Sequence, residues 1–160
     1  MITIEQRYSG DAPATEQLTL PFDLRCKSRL RTRLASGEDA GLFLERGTIL
    51  RGGDCLLGHD GRVVQVVAAP ERLIEVHSED ATLLARAAYH LGNRHVPVQV
   101  GQGWLRLATD SVLQTMLVGL GLSPVEIEGP FEPEAGAYAP GHQHGHSSAL
   151  SKIHQYGSHA

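Results

Sequence analysis

The 160-residue sequence contains few cysteines, few aromatic residues and no long apolar run. Its two cysteines, Cys26 and Cys55, form no C-x-x-C pair, which argues against a thiolate zinc site. The opening residues, MITIEQRYSG, lack the basic and apolar regions of a signal peptide. No apolar run reaches the ~20 residues needed to span a bilayer. We therefore expect a cytoplasmic protein with no membrane partner.

Motifs that mark common enzyme classes are absent as well. The sequence has no H-E-x-x-H, no G-x-S-x-G and no P-loop. A metallohydrolase needs fixed ligands, an open coordination position and a general base. The paired acids Glu126 and Glu128 could be considered for such a role, but they lie on one predicted strand and are better explained as its solvated face. An RNA-binding sheet needs stacking aromatics, and only Trp104 is available on the strands concerned. The net charge of −4 also argues against nucleic acid as a partner. The chain is therefore predicted to be neither an enzyme nor a binder of nucleic acid.

The first part of the chain, residues 1–69, is predicted to be an all-β domain. Short β-favouring runs alternate there with Gly-, Asp- and Ser-rich turns. The Asp60-Gly61 pair predicts a tight hairpin, because glycine accepts a positive φ without a Cβ clash. The predicted runs are Leu18–Leu20, Arg29–Leu34, Gly41–Leu44 and Arg62–Val67.

One run in this part alternates basic with non-basic residues. An extended conformation would place all the basic side chains on one face, since the side-chain period of a strand is two. Two interpretations stay open: a solvated strand face, or a docking face for an acidic partner. The basic residues are Arg25, Lys27, Arg29, Arg31 and Arg33.

The second part, residues 70–131, has the pattern strand, helix, strand, strand, helix, strand. This βαββαβ order predicts a ferredoxin-like domain with both helices on one face of a four-stranded antiparallel sheet. The fold class is therefore α+β. Asp80 and Asp110 are suitable N-caps, and Gly92, Asn93 and Gly121 are suitable helix stops. The predicted strands are Leu73–His77, Val96–Val100, Trp104–Leu107 and Val125–Glu128.

The third part, residues 132–160, is predicted to be a flexible, disordered His-rich tail. It is rich in Pro, Gly, Ala and Ser and has too few large apolar residues to fold alone. Imidazole nitrogen suits Ni, Cu and Zn, so the tail is predicted to capture metal. Chance or an expression tag is the alternative, although a tag is normally a run of consecutive histidines. The candidate ligands are His142, His144, His146, His154 and His159.

A further candidate ligand is His95, where the first predicted helix of the second domain ends. A surface turn there can present its side chain to a metal ion or to another subunit. The alternative is a histidine that only satisfies carbonyls at the helix terminus. His90 is interpreted as structural, and His59 and His77 as ordinary, because neither has a His or Cys partner at ligand spacing.

Two segments resemble the UreE family of urease accessory proteins. They are YHLGNRHVPVQ, Tyr89–Gln99, and GLFLERGTILRGGDCLL, residues 41–57. The resemblance implies a homodimer of a peptide-binding-like β domain and a ferredoxin-like metal domain. It also implies that His95 of each subunit binds Ni(II) at the dimer interface and that tail histidines add ligands. Nickel would then be cargo for the urease apoprotein complex, delivered with the urease accessory GTPase, UreG.

The sequence departs from the family pattern at one place. Some members carry histidines where the third strand of the second domain meets its second helix, but this chain has Thr109-Asp110-Ser111. A peripheral metal site is therefore in doubt, and Asp110 is interpreted mainly as an N-cap. The alternative function is a His-rich nickel or zinc storage or buffering protein, which shares the metal chemistry but has no delivery partner.

Overall fold

The structure, a computed structural model, describes residues 1–136, which form two sheets and three helices. The predicted tail ligands His142, His144, His146, His154 and His159 lie outside the described residues. In the part of the chain that is described, no helix combines the length and the apolar character needed to cross a membrane.

The first sheet has six strands in the order β2-β6-β5-β1-β4-β3. Two neighbouring pairs, β1–β4 and β2–β6, are parallel, and the others are antiparallel. Alternate residues of each strand face a shared core, as Ile2 and Ile4 of β1 do. The strands are β1 Ile2–Arg7, β2 Glu16–Leu20, β3 Arg29–Arg33, β4 Asp39–Phe43, β5 Cys55–Gly58 and β6 Val63–Ala68.

The predicted hairpin at Asp60-Gly61 is confirmed. Strands β5 and β6 pair in antiparallel fashion on either side of it, and Gly61 has a φ of 87°. The carboxylate of Asp60 accepts hydrogen bonds from the backbone and side chain of Arg62, and these bonds lower the pKa of that carboxyl group. The turn is thus held by its own residues.

The prediction that five basic side chains share one strand face is wrong. Only Arg29, Arg31 and Arg33 lie on β3. Arg25 belongs to a short helix, α1 Phe22–Arg25, which begins after the N-cap residue Pro21. The side chain of Arg25 is fully buried, whereas that of Lys27 is exposed.

The second sheet has the order β10-β7-β9-β8, with all neighbouring strands antiparallel. The predicted order of strands and helices in this part is confirmed. Apolar residues of both helices pack on one face, against a core that includes Ile74 and Leu107. The strand predicted at Val96–Val100 is observed at Gln99–Gly101, so it begins later and is shorter than predicted. The elements are β7 Pro70–His77, α2 Ala81–Asn93, β8 Gln99–Gly101, β9 Trp104–Ala108, α3 Ser111–Gly119 and β10 Val125–Pro130.

Both predicted N-caps are confirmed. The carboxylate of Asp80 accepts hydrogen bonds from the backbone N–H groups of Thr82 and Leu83, at 3.0 and 3.2 Å. The carboxylate of Asp110 accepts one from the N–H of Leu113, at 2.9 Å. These carboxylates satisfy N–H groups that have no partner within the helix.

Arg25 joins the first sheet to the segment that follows the second. Its guanidinium donates to the carbonyl oxygens of Leu20 and Leu50, each at 3.1 Å, and to that of Phe131. It also forms an ion pair with Glu132. Each of its three nitrogens therefore donates to at least one oxygen, which is how a buried charge is tolerated. We call these residues the Arg25 junction.

Candidate metal site

The end of α2 has the geometry of a Schellman motif, a common helix terminator in which one residue is left-handed. The N–H of Val96 donates to the carbonyl of Leu91 at 3.2 Å, and the N–H of His95 donates to that of Gly92 at 3.0 Å. These are the two bonds that define the motif, and they place His95 at the left-handed position. Leu91 is buried in the core beneath it, and the half-buried Val96 packs against that core.

His95 occupies a position that normally selects glycine. Its φ is 56°, and within residues 1–136 it is the only non-glycine residue with a positive φ. A side chain in this region is strained by the contact of Cβ with the backbone. The helix ends at Asn93, as the sequence predicted, but the left-handed residue after it is His95 and not Gly92 or Asn93. Strain of this kind is a feature of functional sites, because the fold retains it only where something else requires the residue.

The imidazole of His95 is exposed at this turn, while its backbone is fixed by the two Schellman bonds. His90 lies one turn earlier in α2, is half-buried, and meets the ring of Tyr89 edge-on with the centroids 5.4 Å apart. Among residues 1–136, no group of three His, Cys, Asp or Glu side chains is placed to hold a metal ion. His95 thus presents an exposed imidazole on a backbone that the turn holds in place.

The two histidines interpreted as ordinary make contacts within the chain. Nδ1 of His59 accepts a hydrogen bond from the backbone N–H of Thr3 at 3.0 Å, which ties a turn to β1. The ring of His77 contacts the carboxylate of Glu75. Both histidines are therefore accounted for by local structure.

Sequence reasoning missed a charged cluster on the sheet face opposite the helices. Glu75 forms an ion pair with Arg106, whose guanidinium lies 4.4 Å from the centroid of the Trp104 ring. Burial alone would raise the pKa of Glu75, but hydrogen bonds from Arg106 and His77 outweigh it and lower the pKa. In the sequence, Glu75 and Arg106 each stand at a polar position between apolar residues of a strand. The sequence does not show that the two face each other, because that depends on the register of β7 and β9.

The contact between Asp110 and Leu113 predicts the effect of removing the cap. Asp110→Ala should lower the free energy of unfolding by about 1 kcal/mol, because the first turn of α3 loses its acceptor. Urea denaturation followed by circular dichroism measures this. Asp110→Asn should keep most of the stability, since its amide oxygen can accept the same bond. Equal losses in both variants would contradict a capping role.

The chain matches family models over most of its length. Residues 3–69 match the N-terminal domain of the UreE urease accessory protein, and residues 71–160 match its C-terminal domain. The fold and these matches define a two-domain accessory protein. The chain belongs to the UreE family of urease accessory proteins, and the resemblance noted in the sequence is confirmed.

Individual relatives agree with the family models. A protein named urease accessory protein UreE from Cupriavidus pinatubonensis is 56% identical over 136 residues, covering 85% of this chain and 62% of the relative. Its namesake from Cupriavidus necator is 55% identical, covering 85% of this chain and 71% of the relative. That from Azotobacter vinelandii is 50% identical over 163 residues, covering 98% of each. The chain thus spans less than two thirds of the first of these relatives.

Proposed function

We propose that the protein is a nickel metallochaperone that binds Ni(II) as cargo at a homodimer interface and delivers it for assembly of the urease active site. The observation that carries the proposal is the exposed His95, held in a left-handed conformation at a position where glycine is the normal choice. Imidazole nitrogen is a good ligand for nickel. Relatives named as urease accessory proteins supply the context of urease maturation.

Exposed apolar side chains support a homodimer formed by the second domain. We assign this domain, with its strand order β10-β7-β9-β8, to the ferredoxin-like class. Large apolar side chains on its surface favour burial against another protein surface. A two-fold interface would bring one His95 from each subunit to a shared ion. The exposed side chains are Tyr89, Val100, Val112, Val118 and Val125.

The end of the described chain lies beside the segment that carries His95. The N–H of Glu134 donates to the carbonyl of Val98 at 2.8 Å, and the N–H of Glu132 donates to the side-chain oxygen of Gln99 at 3.0 Å. The histidines of the predicted tail follow from that point, and we propose that they add exchangeable ligands. Zn(II) and Cu(II) are expected to compete, because imidazole binds them as well.

Calorimetric titration of Ni(II) tests the site. A chain ending at Pro140 lacks every proposed tail ligand, and we expect it to bind about one ion per dimer. His95→Ala should abolish that binding, whereas the matched control His77→Ala, which removes another exposed imidazole of the same domain, should not. Loss of all binding on truncation alone would locate the metal in the tail and contradict a site at His95.

A storage or buffering protein is the alternative function, and it rests on the same imidazoles. The two functions differ in their partners, because a chaperone must form a complex with the urease accessory GTPase, UreG, and with the urease apoprotein. Nickel-dependent complex formation that His95→Ala abolishes would support delivery. Nickel binding with no change in complex formation would favour buffering.

A further inference from the structure

The chain crosses the second sheet after its last strand has ended. Strand β10 ends at Pro130, opposite Pro70 of β7, on one edge of the sheet. Only four residues later, the N–H of Glu134 donates to the carbonyl of Val98 at 2.8 Å, next to β8 on the opposite edge. The two edges of a four-stranded sheet are about 14 Å apart. Residues 131–134, which we call the strap, therefore cross the sheet in an extended course.

The strap lies on the face of the sheet opposite the helices. Gln99 of β8 is in register with Arg106 of β9, which belongs to the charged cluster on that face. The side-chain oxygen of Gln99 accepts a hydrogen bond from the N–H of Glu132 at 3.0 Å. Phe131 and Pro133 are buried. The strap is therefore packed against the protein along its length and not only at its end.

The first domain fixes the beginning of the strap. The buried guanidinium of Arg25 donates to the carbonyl of Phe131 and forms an ion pair with Glu132. The ring of Phe22 meets that of Phe131 edge-on, with the centroids 5.8 Å apart. The N–H of Phe22 donates to the carboxylate of Glu71, in β7, at 3.0 Å. The strap is thus held at its start by the Arg25 junction and at its end by the segment that leads into β8.

From this path we propose that the strap is a positioning element of the nickel site, which brings the first histidines of the tail close to His95. The inference rests on the proposed function. Val98 follows His95 by three residues, so the end of the strap is anchored within about 11 Å of that histidine. His142 follows Glu134 by eight residues, and a flexible chain of that length has an r.m.s. span of about 15 Å. The reach of the tail therefore matches the distance to the site.

A chain without the strap would lose this match. It would leave the sheet at Pro130, about 20 Å from Val98, given the width of the sheet and the offset of its two edges along the strands. Twelve residues separate Pro130 from His142, but their r.m.s. span is only about 19 Å. The effective concentration of His142 at the site would then be lower by about tenfold, because it falls steeply once the distance exceeds the span.

Calorimetric titration of Ni(II) into full-length chains tests the proposal. A reference chain carries alanine in place of the first three tail histidines, and the ratio of its Kd to that of the unaltered chain is the contribution of those histidines. Gln99→Ala combined with Glu134→Pro removes both bonds between the strap and the β8 segment. The same ratio, measured with these two substitutions in both chains, should be lower by about fivefold, or should fall to one where it is smaller at the start. The replaced histidines are His142, His144 and His146.

Two controls separate the position of the tail from other effects of the substitutions. Glu134→Ala removes the same carboxylate but keeps the N–H that bonds to Val98, so it should leave the ratio unchanged. Ala135→Pro places a proline one residue later, where the N–H makes no hydrogen bond to the described part of the chain, and should also have no effect. Gln99→Ala alone removes one of the two bonds and should lower the ratio by a smaller factor.

The outcomes distinguish this inference from the proposed function. Equal affinities of the unaltered and reference chains would overturn the inference, because the first tail histidines would then add nothing to the site. An unchanged ratio in the doubly substituted chains would overturn it as well, even if both affinities fell together, since such a fall reports damage to the site itself. Absence of Ni(II) binding in every chain would refute the proposed function and, with it, the inference. Circular dichroism confirms that the variants fold.

Discussion

Arg25→Ala is expected to lower the free energy of unfolding by about 3–5 kcal/mol, the largest stability change that we predict for a single residue. The substitution removes a fully buried guanidinium and takes one donor each from the carbonyl groups of Leu20, Leu50 and Phe131, of which that of Leu20 keeps the N–H of Ala69. Buried acceptors that lose their partner carry the full cost of desolvation. Urea denaturation followed by circular dichroism measures the loss.

Two variants make the measurement specific to the Arg25 junction. Arg25→Lys keeps the charge but cannot supply donors in several fixed directions, so it should retain only part of the stability. Arg86→Ala removes an exposed arginine and should change the free energy of unfolding by less than about 0.5 kcal/mol. A loss below about 1 kcal/mol for Arg25→Ala would mean that the junction relaxes around the missing side chain.

The second large effect concerns His95→Gly, which should abolish nickel binding at the proposed interface site while stabilising the metal-free fold. Relief of a left-handed side chain is worth about 1–3 kcal/mol. The extra freedom of glycine in the unfolded chain offsets about 0.4–1 kcal/mol of this gain. We therefore expect a net increase of up to about 2.6 kcal/mol in the free energy of unfolding. Calorimetry and urea denaturation measure the two effects on one protein.

Comparison with two other substitutions isolates the cause. His95→Ala should also abolish nickel binding, but it keeps a Cβ at a φ of 56° and so should bring no gain in stability. Gly121→Ala places a side chain at a φ of 99° and should have the opposite effect on stability, a loss of about 1 kcal/mol. If His95→Gly destabilised the metal-free protein, the strain inferred from the backbone would be ruled out.

The features that the sequence predicted well are those determined by neighbouring residues. Asp80 and Asp110 each cap the helix that starts directly after them, and the apolar stripes of α2 and α3 face one core. The Asp60-Gly61 turn is local in the same sense. His95 was marked by its place at a helix end and by the family resemblance.

The features that the sequence did not predict depend on residues far apart in the chain. The alternation of basic residues suggested one continuous strand, but the oxygens that bury Arg25 come from Leu20, Leu50 and Phe131. Strand β1 was also missed, because its pairing partners β4 and β5 are distant in the chain. The left-handed conformation of His95 was unexpected because Gly92 and Asn93 adopt such a conformation more easily.

The parallel pairs of the first sheet have a consequence for the order in which the protein folds. Strand β2 pairs with β6, where Leu18 lies opposite Val66, and β1 pairs with β4, where Ile4 lies opposite Leu42. Neither β1 nor β2 can form its parallel pairing until the later strand is present. Such distant pairings form slowly, because a long loop must close before the contact is made. On the ribosome, β2 emerges early and stays without that neighbour until β6 has been synthesised. The first sheet is thus completed late in synthesis, and β1 and β2, which are made first, remain unpaired with their parallel neighbours until then.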